Sequence, residues 1–443
     1  MSILTAADIE AATGRLYLQA GQRLTPLARD RAKELGVEIV ESGTASAVSA
    51  KAAPAALLHK ELTATRTSIT ASVANKASNI GTQVANKVDS RPFAPLISGA
   101  MFRRNGLGPQ GMAGRGGAAR RARAGVVGAG HVGALAALRL AESNLFDHVI
   151  LLDVVPGLAA GLALDMWHGA GLYGFDTTLS GSDDLVDLAG CDYIIITAGK
   201  PRQPGMTRTD LTVGNAAIMK SVCEGIRRHA PEATLVVVSN PLEEMTHLAA
   251  QYSGFPQQRV LGMAGVLDSA RFCSLIGLTG KARPQDVRVL ALGSHGPEMV
   301  IPLSQAFVGA APIESVFDAA TLSAIIERTR ESGGEVVKLL KKGSAYFAPA
   351  ESAAAMVRIM ASGSDEVIAA CVRPGGAYGL IDARVGLPVR LGRRGLREVV
   401  KLPLRPHELQ ALQEAGERLA QRIGELSKLP SNSEPTTVAA LVG

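Results

Sequence analysis

The sequence predicts an α/β fold: a parallel sheet flanked by helices, followed by a mixed α+β lobe. Three observations carry this. Short apolar runs alternate with helical stretches from about Ala124, a glycine-rich turn joins the first run to a helix, and from about Asp286 strand pairs and long helices take over. Repeated βα units specify a parallel sheet, because each crossover between parallel strands needs an intervening helix.

Length and composition fit this reading. At roughly 150 residues per domain, 443 residues make about three units. Hydrophobic residues are 47% and charged residues 19%, with no uninterrupted apolar run of about 18 residues, so a globular chain without a membrane span is expected. Aromatic residues make only 4%, too few for a base-stacking platform, and no nucleic-acid partner is expected. The cysteines Cys191, Cys223, Cys273 and Cys371 form no C-x-x-C pair, so neither a zinc knuckle nor a disulfide framework is indicated, and no metal is expected. The start, MSILTAADIE, has neither a basic nor an apolar signal region. A cytoplasmic location is therefore expected.

Met1 to about Gly43 reads as a small module: Thr25 caps a helix with Pro26 in its first turn, LARDRAKEL continues it, Gly36 stops it, and Val37 to Val40 form a strand. Residues 44–123 are a basic low-complexity linker. The formal charge of +6 belongs to it: Ser46 to Arg123 holds twelve Lys or Arg against Glu61 and Asp89, while the remaining residues are mildly acidic. Leu62, Ile69, Val73, Ile80, Val84 and Val88 have the spacing of one helical face, whereas Gly81 and the β-branched residues favour a disordered spacer; both readings stand. Within 124–268, GVVGAG, HVILLD, DYIIITAG, TLVVVSN and RVLGMAG read as strands. The lobe 269–429 contains the strand pair VRVLALGS and EMVIPLSQ and the helix SAIIERTRESGGEVVKLL, and 430–443 reads as a mobile tail.

The chemistry begins at Gly128-Ala129-Gly130-His131-Val132-Gly133, a G-x-G-x-x-G turn between a strand and a helix. The first glycine permits the tight turn, the second lets backbone approach a pyrophosphate, and the third lets helix and strand pack closely. The next strand ends in Asp153, 20 residues beyond Gly133, where a carboxylate accepts from ribose hydroxyls and repels a 2′-phosphate. A Rossmann-type domain binding NAD is the expectation. The loop AGKPRQPGMTRTD carries Arg202 and Arg208, whose guanidinium groups suit carboxylates better than Lys does. Asp268 and Arg271 lie three apart on a helical stretch, and His295 sits in the turn GSHGPEM. A histidine tied to a buried carboxylate is suited to proton transfer near neutral pH.

The segments GAGHVGALAALRLAE, ALDMWHGA, ITAGKPRQPGMTR, VVVSNPLEEMT, GMAGVLDSARF and GSHGPEMV resemble the lactate/malate dehydrogenase family, in its lactate-dehydrogenase-like malate dehydrogenase branch. The resemblance covers about Ala124 to Leu429. It implies that His295 carries the proton with Asp268 as its partner, that Arg271 holds the substrate carboxylate, and that Arg208 polarises the carbonyl. It further implies that Asn240 contacts the substrate oxygen and that Thr197, Ala198, Gly199, Asn215 and Val238 line the NAD site. Arg202 falls at the position where the family selects substrate, and Arg there resembles malate enzymes. The second guanidinium would pair the second carboxylate of oxaloacetate and be left unpaired by pyruvate.

The activity so implied is reversible hydride transfer between (S)-malate and NAD. An L-lactate, other 2-hydroxy acid or lactaldehyde dehydrogenase recycling NAD inside a bacterial microcompartment is the alternative, and a non-catalytic scaffold of the same fold is a second. The sequence departs from the family pattern at Ser294, at Pro297-Glu298 and at Glu243, where Asp is commoner. A homodimer or homotetramer is implied. The segment GQRLTPLARDRAKELGVEIVE is weakly similar to modules on enzymes of bacterial microcompartments, so a shell or core protein is the partner expected for the extension.

Overall fold

The computed structural model describes residues 3–4, 15–18, 23–24, 32, 35, 37–41, 121–200 and 208–426. The chain divides into two compact units, Met1–Pro95 and Leu96–Gly443. In the first, β1 (Ile3–Leu4) pairs in parallel with β3 (Arg23–Leu24), and β2 (Arg15–Leu18) with β4 (Glu38–Glu41). Ala32 and Val37 are buried, with Leu16 and Ile39 packed against them. The strand expected at Val37 to Val40 thus occurs one residue later, and β1 to β3 are additions. Ala32 is helical, within the expected helix. Thr25, Pro26, the amphipathic pattern between Leu62 and Val88, and the tail 430–443 lie outside the described residues.

The second unit opens with β5 (Ala122–Val127), helix α1 (His131–Glu142), β6 (Phe146–Leu152), α2 (Leu158–His168), β7 (Thr178–Ser182) and β8 (Tyr193–Ile196). It continues through α3 (Arg208–His229), β9 (Thr234–Val237), α4 (Leu242–Ser253) and β10 (Val260–Gly262). These six strands pair in parallel in the order β7-β6-β5-β8-β9-β10. The order reverses between β5 and β8, the switch point outside which such sheets bind ligands.

The strands are continuous apolar runs because both faces are covered. Val126, Leu151, Ile195 and Val236 join one buried cluster, while their neighbours Val127, Leu152, Ile196 and Val237 join another across the sheet. Each such side chain contributes about 1.5–3 kcal/mol on burial. β7, with the sequence TLSGS, was not among the expected strands; its Gly181 lies against the Ala159 backbone, where a Cβ would stand 2.1 Å from the carbonyl.

Helix α5 (Gly265–Leu278) leads into β11 (Val287–Arg288), β12 (Leu292–Gly293), β13 (Met299–Val300), β14 (Phe307–Val308) and β15 (Ala311–Pro312). Helices α6 (Ala319–Leu340) and α7 (Phe347–Ser362), strands β16 (Val367–Val372), β17 (Val385–Gly392) and β18 (Gly395–Val399), and helix α8 (Pro406–Glu425) complete it. The segment VRVLALGS forms two short strands in different sheets: β11 joins β14 and β15, and β12 joins the large one. That sheet runs on from β10 through antiparallel β16, β17, β12 and β13. The seam expected after residue 268 falls inside α5.

Candidate active site

The glycine turn between β5 and α1 is shaped by its three glycines in different ways. Gly128 has φ +104°, where L side chains are strained, and a Cβ there would stand 2.6 Å from Thr197 Oγ1. A Cβ on Gly133 would stand 1.7 Å from the Gly128 carbonyl oxygen, so this is where helix and strand touch. A Cβ on Gly130 would meet nothing within 4 Å. Gly130 is the N-cap of α1 and offers no side-chain cap, leaving first-turn amides to face an anion in that open space.

Asp153 stands beside the turn. One carboxylate oxygen accepts from the Ala129 amide at 2.6 Å and the other from the Val155 amide at 3.0 Å. Each oxygen keeps a further acceptor position for a hydroxyl. The Thr197 hydroxyl donates to the Gly128 carbonyl at 3.0 Å, tying the end of β8 to the turn. Ala198, Gly199 and Val238 follow the ends of β8 and β9 and are partly or fully exposed. Asn215 is buried, with its side chain bonded to the Lys200 amide at 2.7 Å, the Lys200 carbonyl and the Asn240 carbonyl at 2.7 Å. It pins two loops together rather than presenting a free amide. The open space at Gly130, the carboxylate at Asp153 and the uncapped helix end fit a dinucleotide.

Helix α5 carries Asp268 and Arg271 one turn apart, and the turn after β12 brings His295 to them. The Asp268 carboxylate is buried; one oxygen faces His295 Nδ1 at 2.8 Å and the other accepts from Arg271 Nη1 at 3.1 Å. The His295 amide donates to Glu243 Oε1 at 2.6 Å. Burial pulls the His295 pKa down, but the charge and hydrogen bond of Asp268, with Glu243 behind it, outweigh burial and Arg271. The result lies above the ordinary value. Burial likewise pushes Glu243 up, against the hydrogen bond from His295.

The departures at Ser294 and Glu298 face each other. The Ser294 hydroxyl donates to Glu298 at 2.8 Å, Arg422 Nη1 of α8 donates to the other oxygen at 2.9 Å, and Arg422 Nε lies 3.6 Å from Glu244. Burial opposes the Glu298 charge, yet Ser294 and Arg422 hold its pKa below the usual carboxylate range. Nothing in the sequence singles out Arg422, and Glu243 stands out only as Glu where Asp is commoner.

Asn240, at the end of the β9 turn, is exposed. Arg208 opens α3, with only its backbone described, and Arg202 lies outside the described residues. Among the described residues no group of three or more His, Cys, Asp or Glu side chains could hold a metal ion, and no helix is long and apolar enough to cross a membrane.

Comparison with known proteins places this arrangement. Residues 122–262 match the lactate/malate dehydrogenase NAD binding domain, and residues 265–429 match the lactate/malate dehydrogenase alpha/beta C-terminal domain. The malate dehydrogenase of Chlorobium luteolum is 41% identical over 304 residues, 69% of this chain and 98% of that protein. The malate dehydrogenase of Salinibacter ruber superposes with a TM-score of 0.66 at 36% identity, over 69% of this chain and 98% of that one. The lactate dehydrogenase of Cryptosporidium parvum, solved with lactic acid and nicotinamide adenine dinucleotide, gives 0.68 at 33% identity over 71% and 100%. The chain belongs to the lactate/malate dehydrogenase family and is an NAD-dependent 2-hydroxy acid dehydrogenase.

Proposed function

We propose that the chain is a malate dehydrogenase, interconverting (S)-malate and oxaloacetate, with residues 124–268 binding NAD and 269–429 holding the substrate. The observation that carries the reading is the Asp268 carboxylate, shared between His295 at 2.8 Å and Arg271 at 3.1 Å. It makes Nδ1 the protonated ring nitrogen and leaves Nε2 to exchange a proton with the substrate oxygen. In reduction the imidazolium gives that proton to the carbonyl oxygen; in oxidation neutral His295 takes it from the hydroxyl. A histidine above its ordinary pKa favours the first direction.

Arg271 has guanidinium N–H groups beyond the one on Asp268, and these pair the carboxylate next to the reacting carbon. Arg202 pairs the second carboxylate, Arg208 polarises the carbonyl, and Asn240 bonds the substrate oxygen. Gly128, Gly130 and Gly133 shape the cradle for the pyrophosphate, Asp153 accepts from the ribose, and Thr197, Ala198, Gly199 and Val238 border the nicotinamide side, with Asn215 bracing the loops. NAD, when bound, supplies the acceptor for the hydride leaving the hydroxyl-bearing carbon and, reduced, its donor. His295→Ala is expected to abolish turnover while leaving NAD binding nearly intact; retained turnover overturns the assignment.

A lactate, other 2-hydroxy acid or lactaldehyde dehydrogenase is the second reading, and its lactate form has the support of the fold likeness to the Cryptosporidium lactate dehydrogenase. Steady-state rates on oxaloacetate, pyruvate and lactaldehyde separate the two. The proposal extends to a cytoplasmic homodimer or homotetramer. Exposed Leu164, Trp167 and Leu172, the last 83% exposed, give α2 and the segment after it an apolar face suited to a second copy. The extension is proposed to direct the enzyme into a protein shell.

A further inference from the structure

On a part of the second unit that the dehydrogenase reading does not use, α4, the turn before β10 and the segment between β16 and β17 enclose a recess of about 390 Å³. Its lining includes His247, Gln257, Arg373, Asp382 and Arg384. Arg384 is the anomaly. It is 2% exposed, and its hydrogen bonds go to Gln257 Oε1 and to the Val260 carbonyl at 3.2 Å, both neutral. No carboxylate among the described residues forms an ion pair with it. Burial lowers its pKa; the neighbouring Cys371 opposes this, and Arg373 lowers it further.

Its charged neighbour in the recess, Arg373, is of the same sign. His247 is pulled below its ordinary pKa first by burial, then by Arg384 and Arg373. Arg373 has the one carboxylate of the recess, Asp382 at 2.9 Å, and that pair is exposed to solvent, 48% and 75%. The recess thus holds two guanidiniums and an imidazole but one carboxylate, solvated and paired with Arg373. A guanidinium out of water without a counter-charge is a costly arrangement, and an anion beside it restores what burial removed. Guanidinium groups match oxyanions with parallel hydrogen bonds, and the volume exceeds what a bare oxyanion fills.

We propose that this recess binds a phosphoryl oxyanion, free phosphate or a small phosphomonoester, with Arg384 as its floor and Arg373 and His247 at its sides. The occupant supplies the negative charge that the fold leaves out.

The test follows thermal unfolding of the full-length protein in phosphate, in glycerol 3-phosphate and in potassium chloride at matched ionic strength. A saturable rise in Tm above the chloride series is expected for the parent. Arg384→Met should lose it, and Arg373→Ala, an exposed position whose replacement leaves the core intact, should weaken the affinity about tenfold, the scale of one charge-assisted contact. Turnover of both variants should stay within about twofold of the parent, since neither residue belongs to the dehydrogenase site. A larger rise with phosphate identifies the free ion, and a larger rise with glycerol 3-phosphate identifies a phosphomonoester. No rise above chloride, or an undiminished rise in both variants, overturns the proposal.

Discussion

Asp268→Asn removes one negative charge and keeps the side-chain shape. The carboxylate is 1% exposed and stands 2.8 Å from His295 Nδ1. At an effective dielectric constant of about 20, unit charges about 4 Å apart interact by about 4 kcal/mol. The Asn carbonyl retains a hydrogen bond worth about 1 kcal/mol, so about 3 kcal/mol of imidazolium stabilisation is lost. That is about two powers of ten in rate, and it lowers the His295 pKa. The assay is kcat/KM for oxaloacetate reduction as a function of pH. In the proposed mechanism reduction needs protonated His295, so the rate falls as pH rises through its pKa. In the parent that midpoint lies above the ordinary value; in Asp268→Asn burial and Arg271 are opposed by Glu243 alone, and the midpoint moves down. NADH affinity should hold within about threefold, because the substitution lies outside the glycine turn. A loss of kcat/KM below about threefold with an unmoved midpoint would refute the reasoning.

Four further outcomes are expected. Gly130→Ala should fold normally and lose NAD affinity, since its Cβ enters open space; Gly133→Ala should lower Tm as well, since its Cβ meets the Gly128 carbonyl at 1.7 Å. Equal Tm for the two variants contradicts that distinction. Arg202→Gln should lower the preference for oxaloacetate over pyruvate by orders of magnitude, read from the ratio of kcat/KM values. The raised His295 pKa contributes stability that is complete below the unfolded value of about 6.5 and is lost as pH rises through the folded one, so the denaturation free-energy gap between the parent and His295→Asn should narrow as pH rises above about 6.5. Finally, the full chain fused to a fluorescent protein should form puncta in shell-forming cells, and the same fusion lacking residues 1–120 should stay diffuse; diffuse signal from both argues against targeting.

The strands of the parallel sheet are legible because burial on both faces forces unbroken apolar runs, as in YIII of β8 and TLVV of β9. β7 is not, because TLSGS is selected by the close approach of Gly181 to the Ala159 backbone, a tertiary contact without local periodicity. The site divides in the same way. His295, Asp268 and Arg271 carry their chemistry in residue type and local setting, but Arg422 reaches the Glu298 carboxylate across 124 positions of sequence, and such pairing leaves no local trace. Asn215 shows the opposite case. Its position marks it as a site residue, while its geometry shows an internal brace of three backbone bonds. Arg384 reads in sequence as an unremarkable basic residue, and only its burial beside neutral acceptors makes it informative.

The large sheet crosses the seam between the NAD binding domain and the alpha/beta C-terminal domain, through the pairing of β10 with β16 at Gly262 and Cys371. For protein engineering this sets where genes of relatives can be recombined. A breakpoint between residues 262 and 265 separates the matched halves on paper, yet it splices two ladders whose edge strands must share register and twist. Chimeras that inherit β10 and β16 from one parent should assemble. Those that mix them must re-match one hydrogen-bonded edge before any substrate preference can be exchanged.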